Sequence, residues 1–127
     1  MGELQPACGS KLSRIDCFMT NLSGFPTWTL FCSNLTHLSL HTNSIGTLPD
    51  SLGRLSNLIL FCASKCSLSG PFPPAILQLR KLKWLALDRN KLETLHEDIS
   101  ILTSLRFLAV EDNCLVKLGS LSKMTWL

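Results

Sequence analysis

The chain has 127 residues, a length that corresponds to one domain with room for a hydrophobic core. Hydrophobic residues make up 46% and charged residues 17% of the sequence, which excludes a disordered chain. The net charge is +3, and the densest basic cluster is Arg80, Lys81 and Lys83. Because nucleic-acid binding needs several clustered cations, this composition argues against nucleic acid as a partner.

No segment has the pattern of a targeting signal or a membrane span. The first residues, MGELQPACGSKLSRID, lack the basic and apolar regions of a signal peptide. The longest apolar run, LILFCA at 58–63, is far shorter than the roughly 20 residues that cross a bilayer. We therefore expect no membrane span and a cytoplasmic location. An extracellular location is the alternative if an upstream signal peptide is missing from the sequence.

The six cysteines do not have the spacing of a metal site. No CxxC pair is present, and Cys62 and Cys66 are too widely spaced to share a metal on one extended strand. We expect reduced thiols that are buried or half-buried. A disulfide between Cys8 and either Cys17 or Cys32 is the alternative, since these three lie near one end of the chain.

The sequence repeats itself at intervals of 22 to 24 residues. The segment LTHLSLHTNSIGTLPDSLGRLSN, from Leu35, aligns with LKWLALDRNKLETLHEDISILTS, from Leu82. This periodicity predicts a short N-terminal flank of residues 1–11 and one repeat domain of residues 12–127. The domain comprises five units and stops at Leu127, the start of a sixth. The predicted units are 12–34, 35–57, 58–81, 82–104 and 105–126.

The first half of each unit predicts a short β-strand with one buried face. Apolar residues at positions four and six alternate with outward positions, which is the period-2 pattern of a strand. Position nine holds Thr20, Asn43, Cys66, Asn90 and Asn113. A buried asparagine there can hydrogen-bond the backbone of the turn that leaves the strand. Because threonine and cysteine are poorer substitutes, we expect looser turns in the first and third units.

The second half of each unit predicts a short helical or 3-10 turn. Pro26, Pro49 and Pro73 fix φ where the chain bends back. Apolar residues then recur at a spacing of about three, as in Leu52 and Leu55, which suits a single turn rather than a long helix.

Three segments, LTHLSLHTNSI, LKWLALDRNKL and LRFLAVEDNCL, match the pattern LxxLxLxxNxL. On this motif the chain resembles the leucine-rich repeat superfamily from about residue 12 to 127. LPDSLGRL resembles the typical 23-residue class, whereas NLSGFP and SLSGPFPPAI resemble plant-specific LSGxIP endings. The resemblance implies an α/β solenoid, a right-handed superhelix. Its parallel β-sheet would line the concave face, with short helical or 3-10 turns on the convex face.

The resemblance also implies that outward side chains of the concave sheet bind a partner protein. Trp84 and Phe107 are the expected anchors, because an aromatic group in a shallow groove with a charged rim is typical of binding hot spots. His37 and His41 would lie about 13 Å apart on one strand, too far to ligate one ion, so we predict no metal. The predicted protein-binding residues are Leu60, Trp84, Phe107, Asp88, Arg89, Glu111, Asp112, His37 and His41.

We predict no enzymatic activity and no cofactor, because the GxSxG, GxxxxGK[ST], HExxH and GxGxxG motifs are absent from the sequence. The resemblance favours an intracellular scaffold or adaptor in signal transduction, with a protein partner. One alternative is a ligand-recognition segment of a receptor-like or immune-type protein, favoured by the LSGxIP-like endings and by sequons at Asn21 and Asn34. Another is a regulatory repeat region of a larger kinase or cyclase. We also expect this chain to be a fragment of a longer repeat protein and to self-associate through its uncapped C-terminal repeat.

Overall fold

A computed structural model describes residues 11–116, which coil into a solenoid with a continuous sheet along one side. Five strands form this parallel sheet: β1 (Arg14–Asp16), β2 (His37–Ser39), β3 (Leu60–Cys62), β5 (Trp84–Ala86) and β7 (Phe107–Ala109). Two further strands, β4 (Ser69–Gly70) and β6 (Lys91–Leu92), pair in parallel beside it. The predicted solenoid with a parallel sheet is confirmed.

The sheet register aligns residues that lie one repeat apart. The outward row that begins each strand contains Arg14, His37, Leu60, Trp84 and Phe107. The next row points into the solenoid and contains Ile15, Leu38, Phe61, Leu85 and Leu108. Leu38, Phe61 and Leu85 in that row are fully buried. The strand alternation that the sequence predicts therefore decides which side chains form the core and which face outward.

In the first four coils, the side opposite the sheet is a 3-10 turn. These turns comprise Thr27–Phe31, Asp50–Arg54, Pro74–Gln78 and Ile99–Ile101. Pro26, Pro49 and Pro73 precede the first three turns in extended conformation, as predicted. Each turn places a side chain in the core, and Leu52 and Ile76 are fully buried. A 3-10 turn suits these coils because its i→i+3 bonds complete one turn in few residues.

Asparagines at position nine join each coil to the coil before it. The Asn90 Nδ2 group donates to the carbonyl oxygens of Ala63 and Leu87, both at 2.9 Å. Its Oδ1 atom accepts the N–H groups of Cys66 at 2.9 Å and Leu68 at 3.0 Å. One side chain thus satisfies backbone groups on two coils that would otherwise be buried without partners. Asn43 and Asn113 make corresponding bonds.

The turn that leaves β3 keeps a side-chain hydrogen bond to the preceding coil at position nine, where the sequence predicts a looser turn. Cys66 is fully buried, and its thiol donates to the Leu40 carbonyl oxygen at 3.0 Å. Burial raises the pKa of this thiol to about 11, so the group is a protonated donor at neutral pH. In the two units that lack asparagine at position nine, the backbone of the next residue adopts a left-handed conformation. Asn21 and Ser67, which follow Thr20 and Cys66, adopt φ values of 65° and 58°.

The cysteines differ in oxidation state. Cys32 is fully buried and disulfide-bonded, whereas Cys17, Cys62, Cys66 and Cys114 are free. The expectation of reduced thiols throughout is therefore wrong at Cys32, which follows the first 3-10 turn, at the end of the solenoid nearest the predicted flank. Cys8, most of the flank and the predicted uncapped end lie outside the described residues. The repeat boundaries stay a prediction.

Candidate functional site

Two aromatic side chains stand on the outward face of the main sheet. Trp84 begins β5 and Phe107 begins β7, and the register places them side by side. Their rings stack with centroids 3.8 Å apart and planes inclined by 15°. Trp84 is 43% exposed and Phe107 is 39% exposed, so each ring covers part of the other and leaves the rest in solvent. We call this pair the aromatic stack.

The floor beside the aromatic stack is shallow. Ala86 and Ala109, two residues further along β5 and β7, are buried and carry only methyl groups. Leu60 lies next to Trp84 in the outward row and is half-buried. The predicted apolar stripe is therefore present, but most of its exposed area belongs to the two aromatic residues.

Four charged residues follow β5 and β7 at the carboxyl edge of the sheet. Asp88, Arg89, Glu111 and Asp112 form what we call the carboxyl-edge cluster, in which Asp88 is half-buried and the others are exposed. An Asp88 Oδ1 atom accepts the Ser64 hydroxyl at 2.5 Å, and the Arg89 Nε atom lies 3.8 Å from Asp88 Oδ2. Ser64 is itself buried, although its outward position in the repeat predicts exposure. Arg89 and Asp112 have φ values of 59° and 56° in the left-handed turn.

The two predicted histidines lie in one coil, His37 in β2 and His41 two residues beyond its end, but do not come together as a ligand set. The His37 Nδ1 atom is 2.8 Å from Thr36 Oγ1, and burial together with the Arg14 charge lowers the His37 pKa. His41 pairs with Thr42 and packs edge-on against Phe18, with centroids 5.1 Å apart. Among residues 11–116, no group of three or more His, Cys, Asp or Glu side chains is placed to hold a metal.

The first coil presents two large apolar side chains that the site prediction does not include. Phe18 is 52% exposed and Met19 is 64% exposed. They occupy the same repeat positions as Asp88 and Arg89, so the register could have identified them as outward-facing. Met19 also lines an open cleft of about 330 Å³ with Thr42 and Lys65 among its other walls. This second patch lies at the opposite end of the sheet from the aromatic stack.

No helix found between residues 11 and 116 combines the length and the apolar character that crossing a bilayer requires.

Comparison with protein families identifies one of the repeats directly. The family model described as Leucine Rich Repeat matches residues 34–55. The adenylate cyclase of Neurospora crassa is 32% identical over 104 residues, which is 81% of this chain and 4% of the cyclase. The chain is thus similar to a small part of a much longer protein. Folds of the leucine-rich repeat type are generally non-enzymatic, even where they form parts of larger enzymes.

Two solved structures are also similar to this chain in three dimensions. The Leptospira interrogans LRR protein LIC12759 superposes with a TM-score of 0.84 at 31% identity, covering 91% of this chain and 30% of that one. A chain of the BIR3–SERK2 complex from Arabidopsis thaliana has a TM-score of 0.68 at 29% identity, with coverage of 74% and 52%. The similarity therefore includes bacterial and plant proteins.

Proposed function

Because the chain belongs to the leucine-rich repeat superfamily, we propose that it is a protein-interaction module that binds a partner protein on the concave face of its main sheet. The observation that carries this proposal is the exposed aromatic stack above a shallow floor. Large aromatic groups supply much of the binding energy of protein interfaces, and monomeric proteins seldom leave them in solvent without a use. The role proposed is that of an intracellular scaffold or adaptor.

The binding face that we propose has an apolar centre and a polar rim. Trp84 and Phe107 are the anchors, and Leu60 extends the apolar area towards the middle of the sheet. The carboxyl-edge cluster of Asp88, Arg89, Glu111 and Asp112 forms the rim on one side. His37 and His41, both in the coil of β2, would contact a partner that extends across the coil of β3. Such an arrangement, with an aromatic centre and charged surroundings, matches the usual anatomy of interfaces.

We propose no catalytic role for this face, although one row of it has the residue types of a hydrolytic triad. His41, Ser64 and Asp88 occupy the same position on three adjacent coils. Ser64 donates directly to Asp88 at 2.5 Å, and His41 pairs with Thr42 instead of Ser64. A triad needs the histidine between the hydroxyl and the carboxylate, so this order does not activate the serine.

A second candidate is a ligand-recognition segment of a receptor-like protein. The disulfide at Cys32 favours it, because disulfides persist in oxidising compartments. The similarity to a chain of the BIR3–SERK2 complex favours it as well. The two candidates differ in compartment, and the oxidation state of Cys32 in protein isolated from its native source separates them. A disulfide there supports the extracellular candidate, and a free thiol supports the cytoplasmic one.

The test of the interaction module is selection from a displayed library of random peptides. We expect the 127-residue chain to select binders. Replacing both anchors, Trp84→Ala with Phe107→Ala, should weaken the selected peptides about thirtyfold or more, which corresponds to loss of a hot spot of about 2 kcal/mol.

The matched control removes exposed apolar side chains from the opposite side of the coils. Phe31 and Ile101 belong to 3-10 turns and are 59% and 39% exposed. The double variant Phe31→Ala with Ile101→Ala should bind the same peptides as the unaltered chain does. Selection of no binder, or equal losses in the two double variants, would contradict the proposal.

A further inference from the structure

Negative charge on the concave face is concentrated beside the aromatic stack. In the coils of β5 and β7, the carboxyl-edge cluster has three carboxylates and one guanidinium group, a net charge of −2. The same repeat positions in the coils of β1, β2 and β3 contain no carboxylate; they hold Phe18, Met19, His41, Thr42, Ser64 and Lys65. The apolar anchors and the excess negative charge thus belong to the same two coils.

These carboxylates are available to a partner. Among the described residues, the one ion pair joins Arg89 to Asp88 at 3.8 Å, a separation longer than a direct hydrogen bond, and the Arg89 side chain is 61% exposed. Glu111 and Asp112 are exposed, and within residues 11–116 neither has a cationic nitrogen within 4.0 Å. Opposite charges across an interface steer association and select the partner, so two unpaired carboxylates favour a cation.

The aromatic stack and the carboxylates are close enough for one short segment to reach both. Measured as extended chain, the four steps from Phe107 in β7 to Glu111, two residues beyond its end, span about 13 Å at 3.3 Å per residue. The floor between them is formed by Ala86 and Ala109, whose methyl groups do not obstruct a segment that lies along the strands. In an extended partner, side chains four residues apart point to the same face and are separated by about the same 13 Å.

We infer that the partner presents a basic segment in extended conformation, in which an apolar side chain packs on the Trp84–Phe107 stack and a lysine or arginine four residues away pairs with Glu111 and Asp112. This inference rests on the proposed function, because it names the chemistry of what the same face binds. It further distinguishes a basic protein segment from neutral and acidic ones.

The opposite end of the same strands is basic, with Lys83 exposed before β5 and Arg106 exposed before β7, so the two ends of the face differ in the sign of their charge. Arg106 precedes β7, and its guanidinium group folds back to donate to the carbonyl oxygens of Thr103 at 3.0 Å and Leu105 at 3.1 Å. This cation is therefore already hydrogen-bonded within its own coil, whereas the carboxylates of Glu111 and Asp112 are not paired with any cation of the described chain.

The experiment uses a library of random peptides displayed at uniform length and the full 127-residue chain. We expect the selected peptides to be enriched in lysine and arginine and depleted in aspartate and glutamate. A selected peptide should then be measured against Glu111→Gln with Asp112→Asn. Its affinity at low salt should fall about fivefold, as expected for two exposed ion pairs, and should depend less on salt than it does with the unaltered chain.

The matched control neutralises two exposed carboxylates elsewhere. Glu97 and Asp98 precede the last 3-10 turn, away from the sheet, and Glu97→Gln with Asp98→Asn should leave affinity unchanged. Circular dichroism confirms that each variant is folded, which the exposure of all four residues leads us to expect.

Each outcome separates the two proposals. If the selected peptides are neutral or acidic and bind the Trp84→Ala variant more weakly, the inference of a basic segment is wrong and the proposed interaction module still holds. If basic peptides bind the double variant Glu111→Gln with Asp112→Asn with unchanged affinity, the inference of a basic segment is wrong as well. Peptides insensitive to loss of the aromatic stack would instead overturn the interaction module.

Discussion

The single amide of Asn90 hydrogen-bonds five backbone groups. Three carbonyl oxygens accept from Nδ2 and two N–H groups donate to Oδ1, at 2.9 to 3.2 Å. The groups belong to its own coil and to the preceding one. Removing the amide would leave buried backbone donors and acceptors without partners, which costs more than the bonds themselves contribute.

We predict that Asn90→Ala lowers the free energy of unfolding by at least about 3 kcal/mol, as expected when several buried polar groups lose their partners. Urea unfolding followed by circular dichroism measures this change. Asn57→Ala is the matched control, because the Asn57 amide bonds Ser33 and Lys81 at the surface. Asn57→Ala should lower the free energy of unfolding by less than about 1 kcal/mol. Equal costs at the two positions would refute the proposed role of Asn90.

Cys66 illustrates what the repeat pattern does not reveal about a single residue. The pattern places Cys66 correctly at position nine, and chemical similarity then predicts a poor substitute for asparagine. The buried Cys66 thiol cannot hydrogen-bond to water, so it donates to the Leu40 carbonyl oxygen instead. The adjustment at Ser67, with its φ of 58°, depends on local backbone geometry and is not encoded in the spacing of leucines.

At the scale of the strand, alternation assigns opposite roles to neighbouring residues. Trp84 and Leu85 are adjacent in β5, yet Trp84 is 43% exposed and Leu85 is fully buried. The sequence predicts this division because the period-2 pattern repeats in five units with the same phase. It does not predict the ring stacking of Trp84 and Phe107, which requires the rotamers of both side chains.

We predict that Leu85→Ala destabilises the fold by about 2 to 5 kcal/mol, since it leaves a cavity in the core. Trp84→Ala should lower the free energy of unfolding by only about 1 kcal/mol, because it removes a stacking contact from a partly exposed ring. Thermal unfolding of the two single variants compares them directly. A larger loss for Trp84→Ala than for Leu85→Ala would contradict the assignment of the two faces.

At the scale of the whole molecule, the sequence predicts the architecture well because one interaction pattern is repeated. The spacing of leucines fixes the coils, their alternation fixes the sheet, and prolines fix the start of three of the 3-10 turns. The binding residues are harder to predict, because their function depends on which outward side chains remain uncovered. Leu60 and Ser64 occupy outward positions, yet Leu60 is half-buried and Ser64 is buried. Phe18 and Met19, also at outward positions, are exposed.

The most direct measurement is hydroxyl-radical footprinting of the chain with and without a selected peptide. We predict that Trp84 and Phe107 are oxidised in the free chain and protected when the peptide binds. Phe31 and Ile101, on the opposite side of the coils, should be oxidised equally in both samples. Protection of Phe31 and Ile101 with unchanged oxidation of Trp84 and Phe107 would contradict the concave binding face.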